Sequence, residues 1–225
     1  MTRHVIDRFA PSSKHEDRPF ALTTPHATGT PSIRRGYLYV LPCRDDSLLK
    51  IGFSLDPLQR FRAFHRRFFE FFDLGRGALI EVDNVRDARR AERLFIRAFA
   101  PFGAPSPLLV ARSAGCHTAW YRGIHDDALA LAHDLAQREG FALHAPLRTW
   151  LRERLAERGD LLFDWTQQAL DAIESERFNA AASSARDTLI HELRDALDGY
   201  VEVGLPLPSL VSNEVFEWYG ANAGE

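Results

Sequence analysis

One carboxylate of the sequence falls where a core side chain belongs. The residues from Asn84 to Phe99 predict a helix whose apolar stripe includes Glu92. The other members of the stripe are Ala88, Ala91, Phe95 and Phe99. Because an unpaired buried carboxylate is costly, Glu92 should pair with a cation, bind a metal ion or lie at the floor of a polar cleft. A structural Glu–Arg pair is the alternative.

The opposite face of the same predicted helix is rich in arginine. Its members are Arg86, Arg89, Arg90, Arg93 and Arg97. Guanidinium groups bind phosphate oxygens in pairs, and this density exceeds what solubility requires. We therefore assign Arg89, Arg93 and Arg97 to nucleic-acid binding, with an ordinary solvated helix face as the alternative.

An earlier helix, predicted over residues 57–69, carries a second set of arginines. Its buried stripe consists of Phe61, Phe64 and Phe68. Arg62 and Arg66 point away from that stripe and are further candidates for phosphate contact. Arg60 lies at the edge of the stripe, between core and cleft, where it is either a functional cation or an arginine whose stem covers the phenylalanines.

The first two predicted strands bring a tyrosine and a lysine into the same region. Strand alternation places Tyr37 and Tyr39 on one face of the first strand, and Lys50 with Gly52 on one face of the second. The chain has only two lysines, Lys14 and Lys50, against 26 arginines. A lysine at this position hints that a compact ammonium group is needed there.

The elements that must position these residues form an α+β pattern. Strands are predicted at 37–41, 48–53, 78–82 and about 119–122, with an uncertain strand at 108–111. Asp56 followed by Pro57, and Asn84 with Asp87, are helix-start signals for the two helices above. From residue 126 onward, helical spacing recurs at about 126–138, 146–157, 161–176 and 180–199, and the remaining tail predicts no clear element.

Charge divides the chain in the same way. Residues 34–112 contain 15 basic and 9 acidic residues, a net charge of +6, whereas residues 113–225 contain 9 and 19, a net charge of −10. We expect a flexible arm at 1–33, a basic domain at 34–124 and an acidic helical domain at 125–225. No apolar run approaches a membrane span or a secretory signal, so we expect a cytoplasmic protein.

The order of these motifs resembles the signature of the GIY-YIG endonuclease superfamily. The resemblance rests on Gly36-Tyr37-Leu38-Tyr39, Lys50-Ile51-Gly52, Arg60 ten residues after Lys50, and Glu92 with Pro101 nine residues later. It covers about 90 of the 225 residues. It implies a three-stranded antiparallel sheet flanked by helices, here followed by an all-helical C-terminal region.

The resemblance also implies an activity. If the resemblance holds, the chain would be an endonuclease that hydrolyses phosphodiester bonds of a nucleic acid, with DNA the expected substrate, by using one divalent metal ion, Mg²⁺ or Mn²⁺. Carried over by position, Glu92 would be the metal ligand, Arg60 would stabilise the reacting phosphate and Tyr39 would orient or activate the attacking water. Lys50 replaces the second motif's tyrosine, as in a phage-associated branch of the superfamily, and contacts phosphate or serves as a base.

Two departures from the family pattern keep other functions open. Besides Lys50, Phe64 stands where many relatives have a histidine or a polar aromatic residue, and His65 is one position away. A binding module that holds DNA without cutting it is the second hypothesis. The third is a protein-interaction factor whose acidic helices bind a basic partner, or fold back over the basic domain and inhibit it.

Overall fold

Five strands and eight helices make up the computed structural model, which describes residues 35–110, 118–177 and 184–222. The strands are β1 (Gly36–Pro42), β2 (Leu48–Ser54), β3 (Ala78–Val82), β4 (Trp120–Arg122) and β5 (Ala142–His144). The helices are α1 (Pro57–Phe64), α2 (Phe68–Phe71), α3 (Val85–Ala98), α4 (His125–Glu139), α5 (Leu147–Ala156), α6 (Gly159–Arg177), α7 (Ser184–Glu202) and α8 (Asn213–Ala221). Two short 3₁₀ turns cover Ala100–Phe102 and Leu207–Ser209.

The helix starts predicted from the sequence are confirmed. Asp56 caps α1 by accepting a 3.0 Å hydrogen bond from the Gln59 amide, with Pro57 at the first helical position. Asn84 caps α3 in the same way by accepting from the Asp87 amide at 3.0 Å. These caps fix where the helices that carry Arg60 and Glu92 begin.

The sheet is antiparallel throughout, with strand order β4-β2-β1-β3-β5. Tyr39 of β1 pairs with Gly52 of β2, and Leu41 pairs with Lys50. Directly opposed residues share a face, so Tyr39, Gly52 and Lys50 lie on the same side of the sheet. The shared face of Lys50 and Gly52 confirms what strand alternation predicted.

Helices cover both faces of the sheet. Phenylalanines of α1 and α2, together with Leu147 and Trp150 of α5, form one core with the Tyr39 face. Ala88, Ala91 and Phe95 of α3 and the alanines of α4 form a second core on the other face. Helices α6, α7 and α8 pack around a third core of their own.

The number of strands expected from the resemblance, three, is wrong. The α+β class is correct, but five strands are present, and β5 lies inside the region predicted to be all-helical. The sheet therefore continues past the predicted domain boundary at residue 124. Gly140 adopts a left-handed conformation (φ 72°) that ends α4, and the next residues pair with β3.

Three smaller predictions also differ from the structure. The helix expected over residues 57–69 is two helices, because His65 has an extended backbone and its ring accepts from the Arg67 amide. Residues 108–110 are not a strand, and Ala111 lies outside the described residues, as does the predicted arm at 1–33. The tail forms α8, whose cap Ser212 accepts from the Val215 amide. None of the described helices is long and apolar enough to cross a membrane.

Candidate functional site

The hydroxyl of Tyr39 lies between a glycine and an arginine. Tyr39 is 1% exposed, and its ring packs edge-on against Phe61 and Phe64, with centroids 5.5 and 6.0 Å away. The Arg60 Nε donates a hydrogen bond of 3.4 Å to the Tyr39 hydroxyl. A Cβ built on Gly52 would lie 2.4 Å from that hydroxyl oxygen. Glycine is therefore needed at position 52 for the tyrosine to adopt this position.

The Phe64 ring brings two cations together. The Arg60 guanidinium carbon lies 5.0 Å from the ring centroid, and the Lys50 Nζ lies 6.0 Å from it. The electron-rich face of an aromatic ring attracts cations at this range. Phe64 is 1% exposed, so the contact takes place away from bulk water. Arg60 thus does more than cover the phenylalanines with its stem, because its guanidinium also contacts the Phe64 ring and the Tyr39 hydroxyl.

Lys50 is buried and is held by backbone carbonyls. It is 4% exposed, and its ammonium group donates to the Ile51 carbonyl at 2.5 Å and to the Thr118 carbonyl at 3.0 Å. Carbonyl acceptors satisfy an ammonium group. This geometry suits a fixed positive charge better than a general base.

Glu92 lies on the other side of the sheet but within the electrostatic field of these cations. Its side chain is half-buried, and burial raises the pKa of Glu92 above the usual carboxyl range. Four positive charges oppose that rise in pKa; they belong to Lys50, Arg60, Arg89 and Arg93. Beyond Ile51 no described strand pairs with the outer side of β2, so side chains from the two faces can meet at this edge.

Tyr121 is a site residue that sequence reasoning missed. It lies on β4, is 4% exposed, and belongs to the core that α3 covers. Burial and the negative charge of Glu92 raise the pKa of Tyr121. Nothing in the local sequence pattern around Tyr121 predicts a neighbouring carboxylate.

The arginines of α3 are exposed, as predicted. Arg86, Arg89, Arg90, Arg93 and Arg97 all face solvent. Arg90 pairs with Glu139 at 2.7 Å, and the Arg89 guanidinium lies 5.8 Å from the Phe53 ring centroid. No described acidic side chain forms an ion pair with Arg86, Arg89, Arg93 or Arg97. Because Arg89 lies over the Phe53 ring, Arg86, Arg93 and Arg97 are the α3 arginines best placed to contact an outside anion.

The arginines on α1 and in the turn between α1 and α2 have a different environment. Arg62 is exposed on α1, as predicted. Arg66 forms a 2.6 Å ion pair with Asp195 of α7. His65 stacks on Phe71 with a centroid distance of 5.3 Å. Arg66, which was predicted to bind phosphate, is thus already paired with a carboxylate of the same chain.

The donor set for a metal ion is small. Among the described residues, no group of three or more His, Cys, Asp or Glu side chains could hold a metal ion. Mg²⁺ commonly binds through one or two carboxylates and completes its shell with water and substrate phosphate. Glu92 fits that mode, since its partly buried carboxylate is destabilised by desolvation and a cation would offset this cost.

Comparison of the chain with protein-family models, with curated proteins and with solved structures finds no match.

Proposed function

We propose that this chain is a metal-dependent endonuclease that hydrolyses phosphodiester bonds in DNA, built on a GIY-YIG-like domain. The observation that carries the proposal is the position of Glu92. A half-buried carboxylate lies in the field of Lys50 and Arg60, and the tyrosine of the first motif contacts Arg60. Of the residues that the resemblance names, Tyr39, Lys50 and Arg60 lie around the Phe64 ring, and Glu92 on the other face of the sheet lies in the field of Lys50 and Arg60; this arrangement supports the proposal.

Arg60 is suited to the reacting phosphate. Its planar guanidinium can bind two phosphate oxygens at once and complement the negative charge that grows on them. The Tyr39 hydroxyl and the Phe64 ring fix its orientation. A preorganised cation loses little freedom when substrate binds, so it stabilises the transition state effectively.

Tyr39 and Lys50 complete the polar edge of the site. The Tyr39 hydroxyl would orient the water that attacks phosphorus, since Gly52 and Arg60 determine where its oxygen lies. Lys50 would add a fixed positive charge that attracts the scissile phosphate. Its two carbonyl acceptors favour this role over proton abstraction.

Glu92 would hold the divalent ion, Mg²⁺ or Mn²⁺. Such an ion, when bound, acts as a Lewis acid toward the phosphate. The exposed arginines of α3 would follow the DNA backbone next to the site, with Arg93 and Arg97 making the main contacts.

Nicking of supercoiled plasmid tests the proposal. We expect nicking with Mg²⁺ or Mn²⁺, none with EDTA, and a loss of about 100-fold or more in both Glu92→Gln and Arg60→Gln. Glu217→Gln and Arg152→Gln make the same changes of charge at exposed positions and should leave the rate unchanged. Equal nicking by all five proteins, or nicking that persists in EDTA, would contradict the proposal.

A DNA-binding module without cleavage is the second candidate function. It is favoured by the chemistry around Phe64, where an apolar ring stands in place of a proton-transfer group and the neighbouring lysine donates to carbonyls. On this account the same cations hold phosphate but no water is activated. Salt-sensitive DNA binding that is identical with Mg²⁺ and with EDTA, without any nicking, would favour it.

A further inference from the structure

Helix α7 carries a stripe of carboxylates on one face. Asp195, Asp198 and Glu202 lie within a narrow arc of the helix and extend over about two turns. Their side chains are 17, 22 and 27% exposed, so they are partly covered. We call these three residues the acidic stripe.

The acidic stripe contacts arginines from the sheet-bearing part of the chain. Asp195 pairs with Arg66 at 2.6 Å and also with Arg67. Asp198 pairs with Arg67 at 2.7 Å. Glu202 completes the stripe by pairing with two further arginines, Arg44 at 2.7 Å and Arg148 at 3.0 Å.

These contacts are chiefly electrostatic. The apolar side of α7, including Leu193 and Leu197, packs into the core that it shares with α6 and α8. Its apolar contacts with the sheet-bearing part are few; they include Val203, just after the helix, and Gly199 beside Phe69. The paired arginines also keep solvent access, since the side chain of Arg66 is 51% exposed and that of Arg67 is 27% exposed. Their side chains can therefore change partner without any movement of α7.

We propose that the arginines beneath the acidic stripe form a second nucleic-acid-binding surface, for which the stripe is an internal competitor. Arg66 and Arg67 directly follow α1, the helix that carries Arg60, so the surface extends from the candidate site. Carboxylates and phosphates bind the same guanidinium donors. DNA reaches Arg66 only by displacing Asp195, and it reaches Arg67 only by displacing Asp195, Asp198 and Glu70, which also pairs with Arg67 at 2.6 Å. This cost lowers the affinity for DNA. The inference rests on the proposed nucleic-acid partner but does not require cleavage.

Neutralising Asp195 tests the competition, because this one carboxylate contacts both arginines. We compare wild type, Asp195→Asn and Asp187→Asn; Asp187 is exposed on the same helix, so both variants change net charge equally. Fluorescence anisotropy with a short labelled duplex, in EDTA and over a series of salt concentrations, gives the affinity and its salt dependence. Thermal denaturation of each variant confirms that it is folded.

The salt dependence separates freed arginines from a general change of charge. Each new phosphate contact steepens the slope of log affinity against log salt concentration by about 0.9. We expect Asp195→Asn to steepen the slope by about 1, because it releases Arg66 while Asp198 and Glu70 still hold Arg67, and to bind about tenfold more tightly at low salt. Asp187→Asn should have the wild-type slope. Adding Arg66→Gln and Arg67→Gln to Asp195→Asn should return the slope to the wild-type value.

Several results would overturn the inference. Equal slopes for Asp195→Asn and Asp187→Asn would show that the ion pairs are purely structural. An absence of DNA binding by every protein would lead to the same conclusion. If Asp195→Asn does not fold, Glu202→Gln, which frees Arg44 and Arg148, takes its place with the same expected direction. Cleavage is measured separately with Mg²⁺, so a steeper slope without cleavage would uphold this surface while contradicting the nuclease proposal.

Discussion

Gly52→Ala should damage the site through a single methyl group. The added Cβ would lie 2.4 Å from the Tyr39 hydroxyl oxygen, 2.8 Å from Cζ and 3.1 Å from Cε2. Ordinary contact requires about 3.4 Å or more, so the ring must move by about 1 Å. Tyr39 is packed between Phe61 and Phe64 and has little room to do so. Overpacking of this kind costs about 1–3 kcal/mol.

The same displacement of Tyr39 should also lower kcat, because Tyr39 orients Arg60. The Arg60–Tyr39 hydrogen bond is already 3.4 Å long, and a shift of about 1 Å breaks it. We therefore expect a fall of about 100-fold in kcat, a scale that misplacement by 1 Å can produce. The melting temperature should fall by about 2–12 °C, since about 1 kcal/mol corresponds to about 2–4 °C in a chain of this size.

A rescue experiment separates stability from activity. Gly52→Ala combined with Tyr39→Phe removes the closest atom, so part of the lost stability should return while activity stays low. Gly103→Ala is the matched control, because a Cβ there meets its nearest atom at 3.6 Å. Gly52→Ala with wild-type melting temperature and activity would refute the reasoning, since it would show that Tyr39 moves aside at no cost.

Three further predictions concern the ring, the carboxylate and the exposed arginines. Phe64→Leu removes the aromatic face beneath two cations and should lower kcat by about tenfold in the plasmid assay. Burial raises the pKa of Glu92, so the stability associated with its protonated form is complete below its unfolded pKa and is lost as pH rises through its folded pKa. Glu92→Gln should therefore unfold at a higher temperature than wild type near pH 8 and at the same temperature near pH 3. Arg93→Gln with Arg97→Gln should make the salt dependence of DNA binding shallower by about 2.

Each of these has its own control. Phe68→Leu changes the same core without removing a ring contacted by Lys50 or Arg60; if it lowers kcat as much as Phe64→Leu, the cations do not depend on the ring. For Glu92→Gln, a stability difference that persists at pH 3 would show that ionisation is not its cause. If Arg93→Gln with Arg97→Gln leaves the salt dependence of DNA binding unchanged, the DNA does not contact these arginines of α3.

Local patterns predicted the parts of the fold and site that depend on neighbours in sequence. Asp56 and Asn84 predict helix starts correctly because an N-cap interacts only with the next three residues. Strand alternation predicted that Lys50 and Gly52 share a face, since the period of two is fixed by the backbone. The half-buried position of Glu92 followed from helical periodicity in the same way.

Long-range contacts escaped prediction. Arg66 and Asp195 are separated by 129 positions, and an arginine that follows α1 looks the same in sequence whether a carboxylate or water lies opposite. The three residues of β5 are too few to establish a period and are recognisable as a strand only through pairing with β3. The approach of Lys50 and Arg60 to one phenylalanine ring depends on side-chain packing that no spacing rule describes.

Single-turnover cleavage by Glu92→Gln tests the central claim most directly. A labelled duplex is incubated with excess protein and Mg²⁺, and its binding is measured in parallel in EDTA. The account predicts that wild type cleaves, that Glu92→Gln binds at least as tightly because it removes a negative charge, and that its cleavage rate falls by about 100-fold or more. Cleavage by Glu92→Gln at the wild-type rate would show that the reaction, if the chain performs it, does not use this carboxylate.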